Sequence, residues 1–277
     1  MALPAWGGAA ERDDSGKTLF LDRPARRIVS LAPNITELLY AAGAGKSMVG
    51  AVEYSDYPPE ALKLERVGNA QALDIEKIAS LRPDLVVAWK SGNPPDQLNE
   101  LHALGIPVFY VDPMRLSAIP TDIEKLGALS GTEDTAKKSA QAFNRRLEVL
   151  RNRYSGKKKV SVFYEIWPSP LMTVNDRHII SDVMKLCGAE NIFGNLPALV
   201  PVVSLGAVIR ADPEAIIGSG EGDARPSWLD DWKKWDITAS RKNHLFYIPA
   251  DLINRQSPRL LQGAEMLCRQ VDTVRDR

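Results

Sequence analysis

The chain has 277 residues, 44% apolar and 25% charged, with 35 basic and 35 acidic side chains. That length is enough for two globular domains. Zero net charge argues against a nucleic-acid partner held by bulk electrostatics, and no apolar run reaches the roughly 18 residues that a membrane-spanning helix needs.

Residues 1–25 read as an extension. Met1 to Ala10 closes on Gly8-Ala9-Ala10 before the chain turns polar at Glu11, a small-residue pattern like the end of a secretory signal, so a signal remnant is expected. The alternative is an ordinary tail with Trp6 exposed. A first lobe is predicted over 26–118. Its strands are Arg27–Ala32, Met48–Val52, Asp84–Trp89 and Pro107–Val111, and helices fall between them at Asn34–Gly43, Asp74–Leu81 and Pro95–Leu104. This alternation predicts parallel strands with crossover helices. Gly43, Gly105 and Gly188 stand where helix C-termini are expected.

Linking helices are predicted over 119–156. Within them Thr132–Tyr154 carries Ala136, Ala140, Phe143, Leu147, Leu150 and Tyr154 at three- and four-residue steps, one amphipathic helix acting as a rod between lobes. Lys157–Lys159 reads as a solvated turn. A second lobe over 157–277 repeats the logic, with strands Val160–Ile166, Ala215–Gly218 and Leu245–Ile248. Its helices are Ile179–Cys187, Leu205–Arg210, Ser227–Lys234 and Pro258–Val274, the last capped by Ser257.

One stretch occurs twice. I-E-K-I-A-S-L-R-P-D-L-V-V-A at 75–88 and L-G-A-V-I-R-A-D-P-E-A-I-I-G at 205–218 align with Pro83 over Pro213. Ile75, Ile78, Val86 and Val87 then fall on Leu205, Val208, Ile216 and Ile217, and Asp84 on Glu214. Each copy reads as helix, proline turn and buried strand, which predicts two α/β lobes built alike with a site between them. Glu76 faces Gly206.

Catalytic patterns are missing. His102, His178 and His244 lie in separate segments, and no G-x-S-x-G elbow, P-loop or G-x-G-x-x-G after a strand is present. Gly218 to Gly222 reads as a flexible loop. No metal-ligand spacing occurs. Cys187 and Cys268 are most simply a disulfide in an exported protein, closing a loop of about 80 residues worth roughly 4 kcal/mol; in a cytosolic protein they would be two buried thiols. What remains are loops at predicted strand ends rich in prolines and aromatics: Pro33, Tyr54-Ser55-Asp56-Tyr57, Trp89 to Asn93, Trp167-Pro168, and Asp251 to Arg255. Carboxyl ends of parallel strands are where α/β sheets bind ligands. Flat apolar walls with Asn93, Asp251 and Arg255 as polar anchors suit a small-molecule site.

R-I-V-S-L-A-P-N-I-T-E-L-L-Y-A-A-G-A-G at 27–45 and D-I-E-K-I-A-S-L-R-P-D-L-V-V-A-W at 74–89 resemble the substrate-binding proteins of iron-siderophore, haem and cobalamin ABC importers. Y-S-D-Y-P-P at 54–59, W-K-S-G-N at 89–93, C-G-A-E-N-I-F at 187–193 and S-P-R-L-L at 257–261 most resemble the cobalamin-binding members. The resemblance runs from about residue 26 to 274 and implies two Rossmann-like lobes joined by one long α-helix, the helical-backbone form of periplasmic binding protein. It implies a periplasmic, monomeric, non-catalytic carrier without a cofactor of its own. Its ligand would be cobalamin or a related corrinoid, and its partner a membrane ABC permease with its ATPase. Carried over by position, the wall is Pro33, Tyr54, Trp89, Asp251 and Arg255, with Trp167 at or next to a further aromatic position. Cys187 and Cys268 match the family's disulfide.

The family also carries an exposed glutamate on each lobe that pairs with permease arginines; Glu76 keeps the first and Gly206 replaces the second. Ala70 and Val200 stand where two cleft tryptophans are expected. That implies a ligand seated differently, bound more weakly, or a variant such as cobinamide. Within the family the alternative is a haem or siderophore carrier, with Tyr54 or Tyr57 as a haem ligand. Outside it, the alternative is a cytosolic enzyme on a related two-lobed scaffold.

Overall fold

The computed structural model describes residues 8–220 and 224–276. The chain divides into two compact units, one of residues up to Pro113 together with Ser117–Asn144, the other of Met114–Leu116 and Arg145–Arg277.

The first unit begins with a hairpin, β1 (Ala9–Arg12) antiparallel to β2 (Thr18–Leu21). Of Gly8-Ala9-Ala10, Ala9 and Ala10 sit opposite Leu21 and Phe20 in this paired strand. The rest of the expected remnant, residues 1–7, lies outside the described residues. The hairpin turn is fixed by Asp13, whose Oδ1 accepts from the Ser15 and Lys17 amides. Asp14 ties it down by accepting from the Asp112 amide at 2.6 Å and from Lys125 Nζ at 3.2 Å.

β3 (Ile28–Ser30) leads into α1 (Pro33–Ala41), followed by β4 (Met48–Ala51), β5 (Glu65–Arg66), a small hairpin of β6 (Gly68–Asn69) and β7 (Ala72–Leu73), α2 (Ile75–Ser80), β8 (Leu85–Trp89), α3 (Pro95–Ala103) and β9 (Val108–Val111). The sheet order is β5-β4-β3-β8-β9, all parallel. Val29, Leu31, Val86, Ala88 and Ile78 form its buried core. The predicted strands and crossover helices are all present, with ends shifted by a residue or two.

α4 (Ala118–Ser130) belongs to this unit as well, packing on α1 and β1. The 119–156 segment is thus not uniformly a linker. α5 (Glu133–Tyr154), 22 residues long, is the helix predicted over Thr132–Tyr154 less its first residue, and its apolar stripe from Ala136 to Tyr154 is buried. The division between units falls inside it, between Asn144 and Arg145.

The second unit holds β10 (Val160–Glu165), a hairpin of β11 (Trp167–Pro168) and β12 (Leu171–Met172), α6 (Ile179–Leu186), β13 (Ala189–Asn191), α7 (Leu205–Ala211), β14 (Ala215–Gly220), a 3-10 segment at Ser227–Lys234, α8 (Thr238–Arg241), β15 (Leu245–Pro249), α9 (Ala250–Ile253) and α10 (Leu260–Arg275). Its sheet, β13-β10-β14-β15, is also all parallel. Gly218-Ser219-Gly220 is strand, not flexible loop, because the bare glycines let the Trp228 indole lie against β14; a Cβ on Gly218 would meet it at 2.6 Å. Glu221 and Gly222 lie outside the described residues. α10 starts at Leu260 rather than Pro258, so Ser257 does not cap it; the Ser257 hydroxyl instead accepts from the Arg259 amide in the preceding turn. Cys187 and Cys268 are bonded, joining the end of α6 to α10.

The repeat extends to the backbone. Arg82 and Asp212, each just before the proline, take left-handed φ of 47° and 42°. Asp84 and Glu214 each donate their amide to the neighbouring strand's carbonyl at 3.0 Å, to Arg27 and Ser161. Their carboxylates then accept from that same strand: Asp84 from the Arg26 and Arg27 amides, Glu214 from the Ser161 amide and hydroxyl. The helices are capped alike, Asp74 accepting from Lys77 and Ser204 from Ala207.

Candidate functional site

In the first unit the loops after β3, β4 and β8 are locked by a buried polar network. The Thr36 hydroxyl hydrogen-bonds the Ser30 and Ser55 hydroxyls at 2.9 and 3.0 Å, joining the ends of β3 and β4 at the first turn of α1. Pro33 starts that helix, where its missing N–H is not needed. Ser55 is wholly buried, and the Arg66 guanidinium donates to its carbonyl. This fixture holds Tyr54 in a left-handed conformation, φ 63°, with the ring 75% exposed. A non-glycine residue there is strained by about 1–3 kcal/mol, and such strain persists where surroundings over-determine it.

Trp89 ends β8. Its indole Nε1 donates to Asp112 Oδ1 at 3.0 Å, and Ser91 donates to the same oxygen. Burial raises the Asp112 pKa despite these two bonds, which lower it. The ring lies directly over Gly92: a Cβ there would come within 1.9 Å of it. Asn93 is not an outward-facing anchor. It is 4% exposed, accepts from the Trp89 amide, and donates to the carbonyls of Leu31 and Ala70. Three loops hang on that one amide. Ala70 lies in the β6–β7 turn, and its small side chain adds no face of its own.

In the second unit Trp167 is 53% exposed, its Nε1 turned back to the Ser169 carbonyl at 3.0 Å. Asp251 and Arg255 pair with each other at 2.8 Å across one turn beginning in α9. The Arg255 side chain is mostly buried and Asp251 is half exposed. Val200 is partly buried in the segment whose Leu199 and Pro201 carbonyls accept from Asn175 and Thr173. Glu76 is exposed in the first turn of α2, whereas the first turn of α7 has no acidic residue.

Sequence reasoning missed Asp112, Gly92 and the Ser30–Thr36–Ser55 cluster. Asp112-Pro113 directly follows β9, as Lys90 follows β8, and that position was the available signal. All three histidines are structural: His178 accepts from the Ile180 amide at the start of α6, with burial lowering its pKa to about 4. His102 bonds Tyr110 and His244 bonds the Glu214 carbonyl.

In each unit, then, exposed aromatic side chains stand near the carboxyl ends of parallel strands. The chain belongs to the periplasmic binding protein family, whose family model matches residues 28–252. Its place is among binding proteins, not enzymes. The likeness is then narrower. A vitamin B12-binding protein of Vibrio campbellii is 39% identical over 258 residues, 93% of this chain and 94% of that protein. The crystal structure of the periplasmic vitamin B12 binding protein BtuF of Vibrio cholerae superposes with a TM-score of 0.85 at 37% identity, covering 92% of this chain and 99% of that one. The periplasmic heme-binding protein RhuT from Roseiflexus shares the fold, with a TM-score of 0.79 at 23% identity over 90% of this chain and 99% of that one.

Proposed function

We propose that this chain is a periplasmic carrier that captures cobalamin or a related corrinoid and hands it to a membrane ABC permease. The observation that carries the reading is 39% identity, over almost the whole chain, to vitamin B12-binding proteins. Physical support comes from the loops. A corrin ring is broad and flat, so Pro33, Tyr54 and Trp89 of the first unit and Trp167 of the second offer it pre-ordered faces. Asp251 and Arg255 offer its peripheral amides an acceptor and donors. Asn93 serves by holding the loops. Ala70 and Val200 leave two fewer stacking faces, which favours weaker binding or a trimmed corrinoid. Glu76 is the proposed contact with the permease.

Calorimetric titration of the purified protein with cyanocobalamin, cobinamide, haem and a ferric siderophore tests this. Sub-micromolar affinity for a corrinoid, about −8 kcal/mol or better, is expected. Absence of binding to both corrinoids overturns the reading.

A further inference from the structure

The second unit carries a recess of about 210 Å³ that the corrinoid reading does not use. Trp228, Trp232 and Trp235 line it together with Leu205, the carboxylates of Glu165 and Asp231, and Pro168, the neighbour of Trp167. Trp228 and Trp232 belong to the 3-10 segment and Trp235 follows it in extended backbone, and all three border the recess. Trp232 is braced edge-on against Phe163, with centroids 5.5 Å apart. Trp235 is 40% exposed at the mouth.

Glu165, at the end of β10, is 3% exposed. Trp232 Nε1 donates to its Oε2 at 2.6 Å, and among the described residues nothing bonds to Oε1 and no lysine or arginine pairs with the carboxylate. Burial first, and then the Asp231 charge, raise its pKa to about 7 against the Trp232 bond, which lowers it. Asp231 is engaged by Lys234 at 2.7 Å, but both side chains are mostly exposed, and such pairs hold weakly.

A buried carboxylate without a cation, walled by π-faces, discriminates sharply among ligands. A neutral apolar guest leaves Glu165 unpaired, and an anion is repelled by two carboxylates. A hard metal ion needs a fuller oxygen shell, and among the described residues no three His, Cys, Asp or Glu side chains form such a group. We propose that this recess binds an organic cation, an ammonium or guanidinium group on an apolar stem. Indole faces attract it through their quadrupoles, and Glu165 supplies the counter-charge. The source is either a free alkylammonium solute or a basic side chain of a partner protein. The proposal concerns the second unit alone and its test uses no corrinoid.

The full chain is titrated with tetramethylammonium chloride and, separately, with N-acetyl-arginine amide, following indole N–H resonances at constant ionic strength set with sodium chloride. Saturable shifts of the Trp232 and Trp235 signals are expected. Glu165→Gln, which keeps an acceptor for Trp232, should weaken binding at least fivefold, as should Trp235→Ala at the exposed mouth. Tighter binding of tetramethylammonium assigns the site to a free solute, and tighter binding of the arginine amide assigns it to a protein side chain. Shifts that sodium chloride reproduces, or affinities unchanged in both variants, overturn the proposal.

Discussion

At the scale of single residues, the site depends on small side chains beneath large ones. Gly92 shows this most directly, since the Trp89 indole occupies the space its Cβ would need. Gly92→Ala must push the ring off the strand-end loop or break its bond to Asp112. We expect a loss of about 1–3 kcal/mol in stability, the usual range for overpacking, and cyanocobalamin binding weakened about tenfold or more. Paired urea melts and calorimetric titrations would check both. Unchanged affinity would mean that the indole face is not used. Trp89 was legible as a strand-end aromatic from its place after a buried run. Gly92 as its seat and Asp112 as its anchor were not, because both act through contacts that periodicity does not encode. Asn93 illustrates the opposite error: a polar residue in a loop reads as an outward anchor, yet here three loops need its amide inside.

At the scale of elements, the repeated helix–proline–strand unit was legible in full. It depends on local facts: a capping side chain, a proline, an apolar run. The β1–β2 hairpin was not, since its strands alternate weakly and its anchors, Asp14 to Asp112 and Lys125, span about 100 residues. Gly218 to Gly220 misled for another reason, because glycine marks loops in sequence while here it admits an indole. The two copies of the repeat differ at Glu76 and Gly206. Only the Arg210 side chain approaches Gly206, at 3.5 Å from a Cβ built there, so α7 has room. Gly206→Glu should stabilise the second unit by about 1 kcal/mol through helix propensity and the favourable charge at a helix N-terminus. It should also tighten association with the cognate permease in a pull-down or titration. A stability gain without tighter association would remove this helix from the proposed docking surface.

For the molecule as a whole, the buried ionisable groups set a direction for stability against pH. Burial, Asp14 and Asp112 raise the Asp122 pKa to about 7 although Lys125 pulls it down, and Glu165 is also raised to about 7. Between about pH 4 and 7 both are protonated in the folded chain and ionised in the unfolded one. The unfolded state then binds fewer protons, and stability falls as pH rises through that window. His178, lowered to about 4, works the other way up to its ordinary value near 6.5, since it stays neutral only when folded. Two groups against one leave a net decline, of order 3 kcal/mol, between pH 5 and 8. Urea melts across that range should show it, and Asp122→Asn combined with Glu165→Gln should reverse it, leaving the rise with pH that His178 contributes up to about 6.5. A profile that rises over the same range in the unsubstituted protein would contradict the assignment.

The boundary between the units runs through the middle of α5 and not through a loop. The chain also enters the second unit at Met114–Leu116 before returning to the first. Fragment work on this protein is constrained accordingly. A cut between Asn144 and Arg145 would leave Phe143 on one fragment and Leu147 on the other, each carrying half of a stripe that the intact helix buries. Proteases that need several residues of extended chain meet hydrogen-bonded helix at this boundary. The two units are separate as packing cores yet continuous as polypeptide, so expressing either one alone means designing a new end for the rod.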